Sequence, residues 1–531
     1  MTRISDLEYL RLTKGQKLAY KIKYALSAFF NWLLPIELCK LIYAKADKIF
    51  PKWMLQLFSL IGKGASAIGH AISKEWHLLT RTFRDGSWKT RLSYVIMGSG
   101  NLLNGQILRG LLFLLAEAVF IFYMITTGGY WLSLLPSLGK LGPTKEYNIV
   151  LDVYTTTYHD NSFKILLYGV LTIFFIIAFI YTWRLNVKQC AIIEKIKASG
   201  KKLKSGKDDL KSLVDDQFHK TLLALPLTGI IMFTVLPILF MILVAFTNYD
   251  GAHNGFSNSL FSWVGFDNFK TMLTWNSGEV GYAATFGEVL TWTLIWAFFA
   301  TFTNYFLGML VAMAINKKGI RFKKGWRTIL VMTIAIPQFI SLLYVSKMFA
   351  RDGLINNMLL NLGIIDQAHI LPFWEDATWA RITVIIINIW IGIPYLMLIT
   401  TGILMNIPAD LYESARIDGA SGWQQYSKIT LPYMLFVTGP YLLTSFTGNM
   451  NNFNVIYLLT GGAPTNNEAI VSGTVGYTDL LITWLFKITT GAESQYYMAS
   501  IIGILVFLVV AIISLIVYNL LPSIKNEEDF Q

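Results

Sequence analysis

Uncharged hydrogen-bonding side chains gather within apolar stretches in the second half of the chain. An amide or phenol in such a stretch costs free energy and usually faces a cavity or a partner. These groups suit the hydroxyl groups of a sugar, and aromatic faces beside them can pack against a pyranose ring. The alternative is that the amides join helix to helix or join this chain to a partner subunit. The residues concerned are Gln338, Asn388, Trp390, Tyr395, Asn449, Asn451, Asn452, Phe453 and Asn454.

The sequence lacks the parts that other chemistry would need. A phosphate-binding loop requires the pattern GxxxxGK[ST], which does not occur, so the chain is not predicted to hydrolyse ATP itself. The six histidines show no metal-ligand spacing on a common helix, and no metal site is predicted. Paired acids could suggest a glycosidase, but no folded external domain is predicted to hold them. These acids are Asp250, Asp267, Asp352, Asp366, Glu375 and Asp376. No catalytic residue is predicted.

Composition places the chain among polytopic membrane proteins. Of 531 residues, 54% are hydrophobic and only 14% are charged, which is too little polar surface for a soluble globule. The net charge of +12 could suggest nucleic acid, but the basic residues cluster beside apolar runs, where they set topology. The cysteines Cys39 and Cys190 are far apart and on the predicted cytoplasmic side, so no disulfide is predicted.

Eight segments have the length and apolar character of a membrane span. The fifth, residues 329–349, is predicted as one span, and the seventh is predicted to be interrupted by Gly439-Pro440 and by its asparagines. The predicted segments are Gly110 to Thr127, Ile165 to Trp183, Leu222 to Phe246, Val289 to Ile315, Ile329 to Phe349, Ile382 to Leu404, Tyr433 to Leu459 and Ala499 to Leu520.

Charge asymmetry orients these segments, because basic residues near span ends resist translocation. With both termini inside, 36 of the 44 basic residues lie in the cytoplasm. The loop from Lys188 to Lys220 is then cytoplasmic and expected to be partly mobile. The apolar stretch from Ala25 to Leu34 is too short to span the membrane and is predicted to form an interfacial helix. A cleaved signal peptide is not expected, since the stretch begins late and lacks a small-residue cleavage site.

The polar gap between the sixth and seventh segments predicts a compact pair of short helices. Pro408 suits a first helical turn, and Glu413 lies early in the first helix, where the helix dipole favours an acid. Gly419 is predicted to end that helix in the left-handed conformation. A second short helix over residues 422–429 is expected to stop before Pro432. The alternative is an ordinary helix-turn-helix connector.

This gap resembles the EAA loop of ATP-driven, binding-protein-dependent importers, most closely their MalF-type sugar permease subunits. The resemblance is carried by Glu-Ser-Ala-Arg-Ile-Asp-Gly-Ala from Glu413, followed by Ile-x-Leu-Pro ending at Pro432. Further landmarks are Ala335-Ile336-Pro337, Trp390-Ile391-Gly392-Ile393-Pro394-Tyr395 and Thr460-Gly461-Gly462-Ala463-Pro464. The resemblance implies an all-α integral membrane fold, with a six-helix core preceded by two extra spans. It assigns ATPase coupling to Glu413, Ala415, Asp418, Gly419 and Ala420.

The same resemblance implies where an oligosaccharide would bind. Ile334 and Asn388 differ in polarity from the maltose-type pattern, so the sugar or its pose is expected to differ. Maltodextrin-like glucans and galacto-oligosaccharides are the leading candidates. The implied substrate-binding positions are Ile334, Gln338, Asn388, Gly392, Tyr395, Asn449 and Asn452.

The implied assembly contains this chain, a smaller permease subunit and two ATPase subunits that use ATP and Mg. No cofactor is implied for the chain itself. The short external loop after the third segment suggests a Gram-positive type of importer, which would meet a solute-binding lipoprotein outside. We expect a basic N-terminal region at 1–108, two leading spans with a basic loop at 109–220, and a permease core at 221–531 with the EAA loop at 406–432. The alternatives are an ion-coupled secondary carrier, disfavoured by the scarcity of ion-relay residues in the spans, and a membrane-embedded polysaccharide-processing enzyme.

Overall fold

The computed structural model describes most of the chain after the N-terminal residues. The interfacial segment predicted at 25–34 and Cys39 lie outside the described residues. The described ranges are 52–149, 152–200, 203, 206–215, 217–274, 281–317, 319–467, 474–491 and 493–520.

The chain groups into two compact units. Unit 1 comprises Met1–Val119 and Ala178–Lys211, and unit 2 comprises Phe120–Ile177 and Ser212–Gln531. The division of the sequence at residues 108 and 220 stays a prediction.

The described residues are mainly helical. One hairpin interrupts the helices, in which β1 (Thr144–Asn148) pairs antiparallel with β2 (Val153–Thr157). The helices are α1 (Lys52–Asp85), α2 (Trp88–Leu92), α3 (Ser99–Leu102), α4 (Ile107–Leu134), α5 (Ser162–Ala198), α6 (Gly206–Val214), α7 (Phe218–Val244), α8 (Asp267–Leu273), α9 (Tyr282–Asn316), α10 (Lys323–Ala335), α11 (Gln338–Met348), α12 (Leu354–Asn361), α13 (Ala377–Leu404), α14 (Ala409–Ile417), α15 (Gly422–Met450), α16 (Phe453–Leu459), α17 (Leu481–Thr490) and α18 (Tyr496–Leu520).

Seven of the described helices are long and apolar enough to cross a membrane, namely α4, α5, α7, α9, α13, α15 and α18. The pair α10 and α11 qualifies as an eighth span if its two halves are counted together. The predicted all-α membrane fold with about eight spans is therefore confirmed.

The fifth predicted segment is not one straight span. Helices α10 and α11 meet at an angle of 89°. Proline lacks an N–H and disfavours helical geometry in the residue before it, and accordingly Ile336 and Pro337 are extended, with ψ of 126° at both. Non-helical backbone at membrane depth is tolerated where it lines a cavity. The Ala335-Ile336-Pro337 landmark thus breaks the span.

The seventh predicted segment breaks at a different place from the one expected. Pro440 lies inside α15, which runs without interruption from Gly422 to Met450. The helix ends at Asn451-Asn452, and α16 follows. Proline is tolerated within membrane helices because neighbouring groups pair the backbone atoms that it leaves free. The prediction of a break at Gly439-Pro440 was therefore wrong, whereas the break at the asparagines is confirmed.

The predicted loop after the second segment is largely helical. Helix α5 continues to Ala198, and α6 follows at Gly206–Val214. Lys201, Lys202 and Lys204 lie outside the described residues. A helix of the length of α5 reaches about 55 Å, which exceeds the roughly 30 Å of membrane hydrocarbon. Part of the predicted loop is therefore an extension of the second span.

Helix α9 is central to the core of unit 2. It packs against both α13 and α15. Trp296 is fully buried, and its indole Nε1 donates to the Asn449 carbonyl oxygen at 3.1 Å. The Tyr305 hydroxyl accepts a hydrogen bond from Thr438 Oγ1 at 2.8 Å. These contacts fix α15 against α9 on both sides of Pro440.

Candidate functional site

A cavity of about 500 Å³ lies where α9, α13 and α15 face the break between α10 and α11. Because the chain is extended at Ile336-Pro337, the end of α10 and the start of α11 both border this space. No charged side chain is among the described residues that line it. Its polar and aromatic lining residues are Asn304, Thr333, Gln338, Ser341, Asn388, Trp390, Tyr395, Tyr441, Ser445 and Asn449.

The structure brings together six of the seven positions singled out as substrate-binding. Asn388, Gly392 and Tyr395 follow the i, i+4, i+7 spacing that places residues on one face of a helix, here α13. Two others flank the break, and one comes from α15. The six that line the cavity are Ile334, Gln338, Asn388, Gly392, Tyr395 and Asn449.

The seventh position, Asn452, has a different role. Its Oδ1 accepts a hydrogen bond from the backbone N–H of Val455 at 3.3 Å, so it caps α16. Its Nδ2 donates to Asn449 Oδ1 at 3.4 Å, and Asn449 Nδ2 in turn donates to Thr301 Oγ1 at 3.0 Å. Asn452 is therefore one contact away from the cavity and is not part of its lining.

Two buried amides of the cavity hold polar atoms without a protein partner in the described structure. Asn304 donates its Nδ2 to the Ala300 carbonyl at 2.8 Å, but its Oδ1 accepts nothing. Asn388 leaves its Nδ2 unpaired. Both side chains are about 95% buried, with Asn304 5% and Asn388 6% exposed. Burying an unpaired donor or acceptor costs about 1–3 kcal/mol, so each atom would be stabilised by a hydrogen-bond partner, although neither reaches the cavity surface in this structure.

Gly392 supports this arrangement through close packing. A Cβ atom added at Gly392 would overlap the carboxamide of Asn304. A side chain at position 392 would displace the Asn304 amide, so glycine leaves room for this amide between α13 and α9. The position contributes to the cavity by placing Asn304.

The second predicted site is the short helix α14 and the turn after it. Gly419 has a φ of 76°, the left-handed region that glycine adopts without strain. The Ala420 N–H donates to the Ala415 carbonyl at 2.8 Å, and the Gly419 N–H donates to the Arg416 carbonyl at 3.1 Å. This is the Schellman arrangement that ends helices. The predicted end of the helix at Gly419 is confirmed.

The chain then re-enters a helix through a capping box. Ser421 Oγ accepts from the Gln424 N–H at 3.3 Å, and Gln424 Oε1 accepts from the Ser421 N–H at 2.7 Å. The Tyr412 and Thr430 hydroxyl groups lie 2.9 Å apart and join α14 to the start of α15. We call the segment 409–425 the knob.

The expected second short helix is not a separate element. It begins at Gly422 as predicted, but it passes through a π-helical turn at Tyr426–Thr430 directly into Leu431–Met450. Proline is accepted in an early helical turn because its missing N–H has no partner to lose there. Since Pro432 follows a π-turn, in which the hydrogen-bond pattern is already altered, it does not stop the helix. The knob is therefore continuous with a span.

The predicted coupling residues all lie on the knob. Glu413, Asp418 and Gly419 are exposed, and Ala415 and Ala420 are half-buried. Two exposed apolar side chains lie beside them, Ile417 at 86% and Trp423 at 72%. Sequence reasoning overlooked these two, although an apolar residue in a short polar loop is itself a signal of a covered surface.

Comparison with known proteins identifies the family. Residues 304–526 match the family described as binding-protein-dependent transport system inner membrane component. The maltodextrin transport system permease protein MalC of Streptococcus pneumoniae is 33% identical over 83% of this chain and 97% of that protein. The galactooligosaccharides transport system permease protein GanP of Bacillus subtilis is 33% identical over 82% of this chain and 97% of that protein. The maltose/maltodextrin permease MalF of Escherichia coli is 34% identical over 48% of each chain. This chain belongs to that family.

The permease is a multi-span membrane protein and a transport subunit of an ABC importer rather than an enzyme.

Several of its cavity residues were not predicted. Tyr441 and Ser445 precede Asn449 by eight and four residues, which places all three on one face of α15. Asn304 is a lone amide in an apolar helix, a recognisable signal of a cavity or a contact. The structure shows that both apply, because Asn304 lines the cavity and its amide also packs against Gly392.

Two of the acids that the sequence predicts to be external serve local structure. Asp376 Oδ1 accepts from the N–H groups of Thr378 and Trp379, and so caps α13. Asp366 Oδ1 lies 2.6 Å from His369 Nδ1, and this hydrogen bond holds the pKa of Asp366 below its usual value. Asp366 and Asp376 are thus engaged in hydrogen bonds within their own loops.

Proposed function

We propose that the permease carries a neutral oligosaccharide through the cavity between α9, α13, α15 and the break at Ile336-Pro337. The observation that carries this proposal is the cavity lining of amides, hydroxyl groups and aromatic rings, among them Gln338 and Tyr395, which are both exposed. Amide and hydroxyl groups donate and accept hydrogen bonds, and a sugar hydroxyl does both. The described lining residues carry no charge, which favours a neutral sugar over an acidic one.

Maltodextrin-like glucans and galacto-oligosaccharides are the leading substrates. Relatives covering most of this chain are named for these two classes. Trp390 and Tyr395 are both about half exposed in the single chain, at 57% and 52%, and offer aromatic faces to a pyranose ring.

The coupling mechanism that we propose places the knob against an ATPase subunit. Its backbone is internally hydrogen-bonded, whereas Ile417 and Trp423 project outward. A rigid knob with exposed side chains can transmit the movement of a bound ATPase subunit without deforming. Closure of the ATPase pair would then move α15, which is continuous with the knob and lines the cavity.

The proposed assembly also contains a smaller permease subunit, two ATPase subunits that use ATP and Mg, and an extracellular solute-binding lipoprotein. An apolar groove of about 950 Å³ runs beside the knob along α15 and α18. Phe302, Phe436 and Ile513 are among the residues that line it. Its apolar character fits the second permease, whose spans would cover it within the membrane.

Transport by the reconstituted complex tests the function. We expect uptake of maltodextrins or galacto-oligosaccharides that depends on ATP and on the binding protein, and no uptake of uronic-acid oligosaccharides. Uptake driven by an ion gradient without ATP would instead show an ion-coupled carrier. Preferred uptake of an acidic sugar would contradict the neutral cavity.

Cysteine labelling tests the proposed orientation, with both termini and the knob in the cytoplasm. Ile417→Cys and Phe266→Cys are suitable because both native side chains are highly exposed, at 86% and 73%. In a background without Cys39 and Cys190, an impermeant reagent applied to intact cells should label position 266 and leave position 417 unlabelled. Labelling at 417 would overturn the orientation.

A further inference from the structure

Helix α1 of unit 1 presents three distinct faces. Thr82 is buried and Leu78 half-buried on one face. Trp76 and Phe83 are seven residues apart, so they share a second face, and they are 66% and 50% exposed. Lys74, His77, Arg81 and Arg84 lie on the third face, and all four are exposed.

An ion-pair cluster fixes α1 to α5. Glu75 accepts from Arg184 Nε at 2.8 Å and from its second guanidinium nitrogen at 2.6 Å, and it lies 3.0 Å from Lys188 Nζ. Hydrogen bonds from Arg184 and then Lys188 lower the pKa of Glu75 to about 2. Both cations follow the apolar run of α5, which ends near Trp183. Helix α1 is therefore held at the level where a span leaves the hydrocarbon.

The segment after α2 is held at the same level. Trp183 Nε1 donates to the Tyr94 carbonyl at 3.0 Å, and the Tyr94 ring meets the rings of Trp183 and Phe83 edge to face at 5.6 and 5.1 Å. Just beyond Tyr94, Val95 is 75% exposed and Ile96 is 44% exposed. Aromatic and aliphatic side chains are thus exposed together at the end of the span.

The charges around this apolar surface are mainly positive. Between residues 66 and 98 there are five Lys or Arg residues and two acids. One of these acids, Glu75, is bound to α5, and the other, Asp85, lies within 3.4 Å of both Arg81 and Arg84. Exposed aromatic residues flanked by lysine and arginine are typical of helices that lie in the interface of an anionic membrane.

We propose that the surface formed by Trp76, Phe83, Val95 and Ile96 with the flanking cations Lys74, Arg81 and Arg84 docks on anionic phospholipid headgroups. The lipid belongs to the leaflet in which the basic end of α5 emerges. The apolar side chains enter the boundary between headgroups and acyl chains, and the cations contact the phosphates. A lipid surface is favoured over a protein partner because unit 1 also contains the start of α4, a helix that qualifies as a membrane span and exposes Ile107 and Leu111.

Spin labels measure the depth of this surface directly. Single cysteines at positions 76, 83, 77 and 81 would be labelled in the full complex, in a Cys39→Ser, Cys190→Ala background that retains uptake. Reconstitution would use vesicles of phosphatidylcholine with phosphatidylglycerol. We expect labels at 76 and 83 to be accessible to oxygen and shielded from a water-soluble nickel chelate, and labels at 77 and 81 to show the reverse.

Two results would overturn the proposal. Equal nickel accessibility at 76 and 77 would show a solvated helix. Shielding of 76 and 83 from both oxygen and nickel would show that protein covers the surface.

Lipid retention tests the charge component. The full complex would be extracted in native-membrane nanoparticles, and the phosphatidylglycerol share of the retained lipid would be measured. For Lys74→Gln/Arg81→Gln we expect this share to fall about twofold, since each basic residue near an anionic surface adds attraction. The matched control Lys140→Gln/Lys145→Gln removes the same charge near the β1–β2 hairpin and should retain the share of the unaltered complex. An equal fall in both variants would mean that the surface of α1 is not selective.

Discussion

The cavity and the knob differ in how completely their polar groups are paired by hydrogen bonds. At the cavity, the buried amides of Asn304 and Asn388 each leave one polar atom without a partner among the described residues. At the knob, the Schellman turn at Gly419 and the capping box at Ser421 pair the backbone groups at both helix ends. A binding site needs polar groups that can form hydrogen bonds with a ligand, whereas an element that transmits motion, as proposed for the knob, must be rigid. The following predictions test this difference.

Gly419→Asp should have the largest effect. A side chain at a φ of 76° costs about 1–2 kcal/mol, and the new charge lies beside Asp418 on the surface proposed to contact the ATPase. The added Cβ meets no atom within 4 Å, so unit 2 should still fold and insert. We expect almost complete loss of ATPase co-purification and of sugar uptake.

Gly422→Asp is the matched control for this change. It adds the same charge to the knob, but Gly422 has no positive φ and opens α15, where an acid is favourable. Uptake should stay close to that of the unaltered complex. Normal ATPase binding and uptake by Gly419→Asp would remove the basis for assigning coupling to the knob.

Asn388→Leu should separate transport from stability. Because Nδ2 of Asn388 has no partner among the described residues, its removal deletes an unpaired group, and the unfolding temperature should stay unchanged or rise. A sugar hydrogen bond contributes about 0.5–1.5 kcal/mol, so the apparent affinity for sugar should fall roughly two- to tenfold. Thermal unfolding in detergent and concentration-dependent uptake measure the two effects.

Asn356→Leu is the comparison for a buried amide whose bonds are made. Asn356 Nδ2 donates to the Leu371 carbonyl at 3.1 Å, and its Oδ1 accepts from the Leu371 N–H at 3.3 Å. This variant should lose stability and leave the apparent sugar affinity unchanged. If Asn388→Leu behaves in the same way, the amide at position 388 is structural.

Glu413→Ala should be milder than Gly419→Asp. It removes one exposed polar group from α14 but leaves the Schellman turn and the capping box in place. We expect partial loss of uptake, within about tenfold, from the loss of one polar contact. ATP-driven uptake at matched protein levels measures it. A loss as complete as that of Gly419→Asp would mean that the acid, and not the shape of the knob, dominates the interface.

Asn449→Ala and Asn452→Ala should have different effects on uptake and stability, although the sequence predicts the same role for both residues. Asn449 lines the cavity, so its loss should weaken uptake a few-fold. Asn452 caps α16, and loss of a cap costs about 1 kcal/mol of stability. Asn452→Ser, which keeps a capping oxygen, should restore the stability. Equal transport defects with no stability change would place both residues in the site.

Much of the permease follows from local sequence rules. Apolar run length predicted the spans, because a span must cover the hydrocarbon and pair its own backbone. Gly419 predicted the end of α14, because few other residues tolerate a positive φ. The spacing of Asn388, Gly392 and Tyr395 predicted a common face, because helical geometry depends on neighbours along the chain.

Tertiary packing decided what local rules could not. Pro337 and Pro440 look alike in the sequence, yet only the first breaks a helix. Helix α15 is held against α9 on both sides of Pro440, by Thr438 on one side and Asn449 on the other. Likewise, every asparagine of the later spans offers the same amide. Whether it binds a ligand, caps a helix or packs against glycine depends on which atoms the fold brings within hydrogen-bonding distance.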